Sequence, residues 1–182
     1  MPTDLLDFEA GELYFDEPLN AGVSQYLDRA AEVYADNGKF AERLLLRAYF
    51  LEPEHPLVLV ALYRHYYFQH RLEDALLVAD RVLRIFAKRL ELPEDWRELD
   101  ENRIDGGVRH SMTLVRFYML ALKGAGYIEM RLGEYGPAVA RLEKVAQLDR
   151  DDRLGVRALL DLARKALGGR ESGSAGGCIQ TL

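Results

Sequence analysis

The side chains most able to carry chemistry lie in one aromatic run and in the histidines within and beside it. The run reads Tyr63-Arg64-His65-Tyr66-Tyr67-Phe68. His65 and His70 are five residues apart, and no third ligand stands near them in the sequence. A protein metal site needs more ligands than two histidines. We therefore expect no metal site, whereas the aromatic rings could bind a cofactor or fill a core.

A glycine pair in Lys123-Gly124-Ala125-Gly126 is the second candidate feature. A dinucleotide site places its glycines between a strand and the start of a helix. These glycines lie inside a predicted helix instead, which indicates close helix packing. The sequence also has no Walker motif, no activated-serine elbow and no carboxylate pair at a catalytic spacing. We expect no catalytic residues and no enzymatic activity.

The composition is that of a globular protein with an acidic N-terminal segment. The chain has 182 residues, 49% of them hydrophobic and 30% charged, and a net charge of −6. This charge disfavours nucleic acid as a partner. Residues 1–18 contain six acids and no Lys or Arg, so the remaining 24 acids balance the 24 bases of the body. The six acids are Asp4, Asp7, Glu9, Glu12, Asp16 and Glu17.

Three further features bear on where the protein works. Cys178 is the only cysteine, so no internal disulfide can form and a reducing compartment is sufficient. The acidic N-terminus lacks the basic and apolar parts of a secretory signal. The most apolar stretch, residues 112–132, is interrupted by Arg116, Lys123 and Glu129. We expect a cytoplasmic protein with no membrane insertion.

Apolar residues recur at helical spacing throughout the body, and Gly and Pro fall between the periodic stretches. This pattern predicts an all-α fold, with Gly38 ending the first helix and Asp105-Gly106-Gly107 breaking the chain. Gly168-Gly169 is expected to end the last helix and to begin a Gly- and Ser-rich tail. The predicted helices cover residues 21–37, 40–51, 56–69, 72–89, a short piece near 96–99, 111–132, 134–148 and 153–167.

Two stretches carry a repeat pattern. The first is Leu59-x-x-Leu62-Tyr63-x-x-Tyr66…Leu72-x-x-Ala75, and the second is Leu122-x-x-Ala125-Gly126…Gly133-x-Tyr135-x-x-Ala138…Leu142-x-x-Val145. Both resemble the tetratricopeptide repeat family, and with a weaker first unit the resemblance covers residues 21–167. It departs from the family where His70 replaces the turn glycine, where Tyr63 replaces the small residue, and where residues 90–110 insert a linker.

The resemblance implies an α-solenoid of three helix pairs in a right-handed superhelix, closed by a capping helix at 153–167. Residues 1–20 would then be a separate acidic segment and residues 168–182 a tail. Tyr63 and Tyr66 take core positions of the repeat, which favours packing over cofactor binding. We therefore expect no cofactor.

The resemblance also implies a concave face lined by the first helix of each pair, acidic at its N-terminal end and then basic and aromatic. Arginine pairs with carboxylates and tyrosine supplies contact area, so this face suits an acidic segment of a protein or peptide partner. The alternative is that Tyr67, Phe68 and Tyr127 only pack against neighbouring helices or the N-terminal segment. The candidate residues begin with Asp28, Arg29, Glu32, Asp36, Leu57, Val60 and Ala61 and continue with the basic and aromatic set Arg64, Tyr67, Phe68, Lys123, Tyr127, Met130, Arg131 and Arg157.

The inserted linker contains the only tryptophan, Trp96. A long connection in a compact helical protein is often functional, so Trp96 could anchor a partner. It could equally fill a gap between the helices at 72–89 and 111–132, and we favour this second interpretation.

Two functions remain from the sequence. The first is an adaptor or assembly chaperone that binds a peptide of one partner, and the alternative is a structural subunit of a stable complex or homo-oligomer. Residues 4–17 combine acids with large apolar side chains. We expect them to lie against the helical body, either in the groove or over the first helix pair.

Overall fold

The computed structural model describes residues 17–174, and side chains as far as residue 169. This part of the chain contains eight α-helices, one short 3₁₀ turn and no strand, which confirms the all-α prediction for it. The helices are α1 (Ala21–Val33), α2 (Gly38–Leu51), α3 (Pro56–Phe68), α4 (Leu72–Arg89), α5 (Glu101–His110), α6 (Met112–Leu132), α7 (Tyr135–Leu148) and α8 (Arg157–Ser174), and the 3₁₀ turn is Trp96–Glu98.

Polar side chains fix where several helices begin. The side chains of Asn20, Asn37, Asp100 and Ser111 each accept a backbone N–H of the first turn of α1, α2, α5 and α6. Such caps satisfy donors that have no partner within the helix. Pro56 lies in the first turn of α3, as the sequence predicted, because a missing N–H costs nothing there.

The three predictions that rested on glycines are wrong, and the last helix begins at Arg157 rather than at residue 153. Gly38 does not end α1, which stops at Val33; it is the first residue of α2, because Asn37 caps that helix. α5 continues through Asp105-Gly106-Gly107, and α8 continues through Gly168-Gly169. A glycine inside a helix costs only about 1 kcal/mol relative to alanine, so strong capping by Asp100 and packing can outweigh it.

With α5 left aside, each helix packs chiefly against the helix before it and the helix after it. The main contacts join α1 to α2, α2 to α3, α3 to α4, α4 to α6, α6 to α7 and α7 to α8, while α5 packs on α6. At the α6–α7 contact, a Cβ added to Gly126 would lie 3.0 Å from Cγ of Leu142. This glycine therefore sets how closely the two helices approach.

One core runs through the whole set of helices. Tyr63 and Tyr66 belong to it, which confirms that these aromatics pack inside the protein. The Phe86 and Phe117 rings meet edge to face, with centroids 4.9 Å apart, and join α4 to α6.

A charged group is also buried at the meeting of α4, α6 and α7. Nε of Arg141 lies 2.9 Å from Oε1 of Glu129, and Nη1 of Arg141 lies 2.9 Å from Oδ1 of Asp80. Burial raises the pKa of Glu129, while Arg141 opposes that shift. The Trp96 ring packs against the core with its centroid 5.4 Å from the Arg141 guanidinium, so the inserted linker lies on α7 as well.

No helix within residues 17–174 is both long and apolar enough to cross a lipid bilayer. The predicted docking of the N-terminal segment lies outside the described residues, apart from its last member, Glu17. The Glu17 carboxylate lies 2.8 Å from the Arg89 guanidinium, and its carbonyl oxygen lies 3.4 Å from Nε2 of His55.

Candidate functional site

A groove open to solvent runs between α1 and α3. Its volume is about 590 Å³. α1 and the residues before it contribute one wall, α3 contributes the other, and Leu45 of α2 lies at the bottom. The lining residues are Leu19, Ser24, Leu27, Asp28, Ala30, Ala31, Tyr34, Leu45, Leu57, Val60, Ala61, Arg64, His65 and Phe68.

The groove is mostly apolar, with a polar rim. Ala30, Leu45 and Val60 are buried at its base, and Leu27 is half-buried on its wall. Phe68 stands at one end with 49% of its surface exposed. An exposed aromatic ring beside an apolar trough is an arrangement that partner side chains can use as an anchor.

His65 places a neutral ring at the base of this groove. Burial lowers the pKa of His65, Arg71 adds to the shift and Glu42 opposes it. The ring meets Tyr34 edge to face, with centroids 5.7 Å apart, and no described residue forms a hydrogen bond with its Nδ1. The lowered pKa keeps the imidazole uncharged at neutral pH, so the base of the groove stays apolar in character.

An aromatic and cationic cluster of Tyr67, Tyr127 and Arg131, here called the Arg131 cluster, continues from the Phe68 end of the groove. The Phe68 and Tyr67 rings meet edge to face at 5.5 Å, and the Tyr67 and Tyr127 hydroxyls are 3.2 Å apart. The Arg131 guanidinium donates to both hydroxyls, at 3.1 and 3.3 Å. Burial and the hydrogen bond to Tyr127 raise the pKa of Tyr67 to about 12, so the Tyr67 phenol stays neutral at neutral pH.

Arg131 keeps its charge available to a partner. It is exposed, and among the described residues it bonds to tyrosine hydroxyls and to no carboxylate. α3 and α6 thus bring together Tyr67, Tyr127 and Arg131, which the sequence had proposed as one surface. An anionic group placed there would meet a guanidinium already oriented by two hydrogen bonds.

Three other proposed residues lie elsewhere. Lys123 is fully buried, and its ammonium donates to the carbonyl of Leu154, so it is not part of an exposed groove. Arg157 is the exposed first residue of α8, and its guanidinium donates to the carbonyl of Arg150. Met130 is half-buried and packs on the core.

Sequence reasoning missed much of the α1 wall. Leu27 and Tyr34 are seven residues apart, a spacing that indicates the core-facing side of a helix rather than a site. Leu19 precedes the helix and carried no signal. His65 was considered only as a metal ligand. No group of three or more potential metal ligands occurs within the described part of the chain.

Comparison with known proteins gives one informative relative. The chain is 47% identical over 159 residues to an uncharacterized 19.8 kDa protein in the nifW 5′ region of Azotobacter chroococcum mcd 1. The alignment covers 87% of this chain and 88% of that protein. No known family profile matches the chain. No solved structure matches it either.

Proposed function

The chain belongs to the same family as the 19.8 kDa protein in the nifW 5′ region of Azotobacter chroococcum, and we propose that it is a non-catalytic protein-interaction module, an adaptor or assembly chaperone. It binds a segment of a partner protein in the α1–α3 groove. The groove itself, apolar at its base and ending at the exposed Phe68, is the observation that carries this proposal.

The repeat architecture belongs to the same proposal. The helices form three tetratricopeptide-type pairs, α1–α2, α3–α4 and α6–α7, which stack as a right-handed solenoid capped by α8. Support comes from the sequential packing of the helices and from the close approach at Gly126. α1, α3 and α6 then line one surface, to which both the groove and the Arg131 cluster belong.

The chemistry of the groove defines the partner segment. Apolar side chains of the segment fill the trough between Leu27 and Leu57, where they leave water. A carboxylate of the segment reaches Arg131, because that guanidinium has no carboxylate partner in the described chain. The expected ligand is thus an amphipathic segment with an acidic end.

Two substitutions test the groove without disturbing the core. Ala31 is exposed on the α1 wall, so Ala31→Trp fills the trough, and Phe68→Ala removes the exposed ring. We expect each to reduce partner capture from the native cell at least tenfold, since loss of an aromatic anchor at an interface costs about 2 kcal/mol or more.

Matched controls are available on other surfaces. Ala140 is exposed on α7 and Leu162 is exposed on α8. Ala140→Trp repeats the first change away from the groove, and Leu162→Ala removes another exposed apolar side chain. Both controls should capture the same proteins as the wild type. Undiminished capture by the groove variants, with melting temperatures unchanged, would overturn the proposal.

The relative's name suggests one defined protein to test in this experiment, because it places the relative in the 5′ region of nifW. Binding of the purified nifW product to the immobilised chain is therefore measured beside the capture from cells, with the same four variants.

A further inference from the structure

A second unpartnered surface lies on α2, on a different helix from the two walls of the groove. α2 has six exposed residues, namely Lys39, Arg43, Leu46, Arg47, Phe50 and Leu51. Phe50 is 84% exposed, Leu51 56% and Leu46 44%. These six residues, the α2 face, combine three cations with three large apolar side chains and contain no acid.

The cations of the α2 face are not neutralised by the described chain. Lys39, Arg43 and Arg47 form no ion pair with any described residue, whereas other exposed arginines, such as Arg29 and Arg164, do. The acid that α2 does carry, Glu42, turns away and pairs with Arg71 at 2.6 Å. The α2 face therefore attracts an anionic segment with apolar side chains, and contiguous apolar exposure of this kind marks an interaction site.

The same chain contains a segment of that chemistry. Residues 4–16 include five acids, no base, and the apolar side chains Leu5, Leu6, Phe8, Leu13, Tyr14 and Phe15. The groove is a poorer match for this segment, because Asp28 on the α1 wall offsets Arg64 on the α3 wall, whereas the α2 face has three cations and no acid.

The described chain begins at Glu17, beside the α2–α3 turn and the end of α4, and then passes the C-terminal end of α2. The backbone N–H of Asn20 donates to Oε1 of Glu52, the residue that follows α2, at 3.1 Å. Phe50 and Leu51 lie at that same end of α2. The α2 face runs from Lys39 to Leu51, about 18 Å along the helix, and the thirteen residues 4–16 span about 20 Å even at about 1.5 Å per residue.

We propose that residues 4–16 bind the α2 face of their own chain. Their acids pair with Lys39, Arg43 and Arg47, and their apolar side chains cover Leu46, Phe50 and Leu51. The groove between α1 and α3 then remains open to a partner while the N-terminal segment is bound. This inference stands whether or not the groove has the function proposed above.

Hydrogen exchange of the full-length chain, read by mass spectrometry on peptides from residues 4–16, tests the proposal. In the wild type these amides should exchange at least tenfold more slowly than in the double variant Arg43→Glu/Arg47→Glu. Arg84→Glu/Lys88→Glu is the matched control, because those two exposed cations have the same spacing on α4 and no ion-pair partner in the described chain. The control should retain the wild-type rates.

A second pair of variants keeps the test valid if the double reversal does not fold. Phe50→Ser should raise exchange in residues 4–16 at least tenfold, whereas Leu162→Ser, an equivalent change on α8, should not. Equal rates in the wild type and the α2 variants would overturn the proposal and leave the α2 face to another protein. Protection that grows with protein concentration, together with elution as a dimer, would also overturn it, because the segment would then bind a second copy.

Discussion

At the scale of single residues, two turns place the backbone in the left-handed region with different side chains. Gly133 ends α6 with φ 80°, and His70 joins α3 to α4 with φ 57°. Glycine adopts this conformation without a steric penalty, whereas a residue with a Cβ pays roughly 1–2 kcal/mol. The sequence had noted His70 where the repeat pattern has glycine, and the structure shows the strain that results.

Reciprocal substitutions at these two turns should therefore change the free energy of unfolding in opposite directions. His70→Gly should raise the free energy of unfolding by about 0.5 kcal/mol, since relief of strain exceeds the added freedom of the unfolded chain. Gly133→His should lower it by about 1 kcal/mol. Urea denaturation measures both, and the same sign for both variants would contradict this account of the turns.

The solvent exposure of each candidate side chain was the feature of the site that could not be predicted from the sequence. Arg64, Tyr67, Phe68, Tyr127 and Arg131 lie on exposed or half-buried surface near the groove. Lys123 was assigned to the same surface but is buried. Its ammonium donates to the carbonyl of Leu154, which lies 31 residues further along the chain. Periodicity reports a helix face and does not report which later loop will cover it.

At the scale of helices, the sequence predicted most elements because their starts carry local signals. Pro56 and the glycine at 133 mark boundaries through backbone geometry alone. α5 was missed because Gly106-Gly107 was taken as a break. The Asp100 side chain caps this helix, and Gly107 packs against Val115 and Leu92, so tertiary contacts outweigh a weak propensity.

The two glycines of α5 should respond differently to alanine. A Cβ at Gly106 would meet only the far end of Arg109 at 3.8 Å, whereas one at Gly107 would lie 3.0 Å from Cγ2 of Val115. Gly106→Ala should stabilise the protein by about 0.5–1 kcal/mol through helix propensity, and Gly107→Ala should give no gain. Thermal unfolding followed by circular dichroism compares them, and equal gains would show that α5 does not pack on α6 as described.

At the scale of the whole molecule, two surfaces with different chemistry lie on different helices. The groove lies between α1 and α3 and leads to the Arg131 cluster. The α2 face carries cations that form no ion pair with a described residue, beside exposed apolar side chains. The sequence predicted a surface formed by the first helices of the pairs. It did not predict the α2 face, because exposure on one side of a helix depends on which neighbours the stack leaves out.

Assignment of one surface to a partner and the other to the N-terminal segment follows from charge. The groove carries Asp28 on one wall and a cation at its far end, so a segment that is acidic at one end only would match its charge. The α2 face has no acid among its exposed residues. It suits residues 4–16, whose charged side chains are all acidic.

The central claim is that a partner protein binds in the α1–α3 groove, and site-specific photo-crosslinking in the native cell tests it most directly. A photoreactive phenylalanine analogue replaces Phe68 in one strain and Leu162 in another, both residues being exposed. The account predicts a covalent adduct with a single partner from position 68, lost when Ala31→Trp fills the groove, and no such adduct from position 162. The same adducts from both positions, or an adduct from position 68 that survives Ala31→Trp, would contradict it.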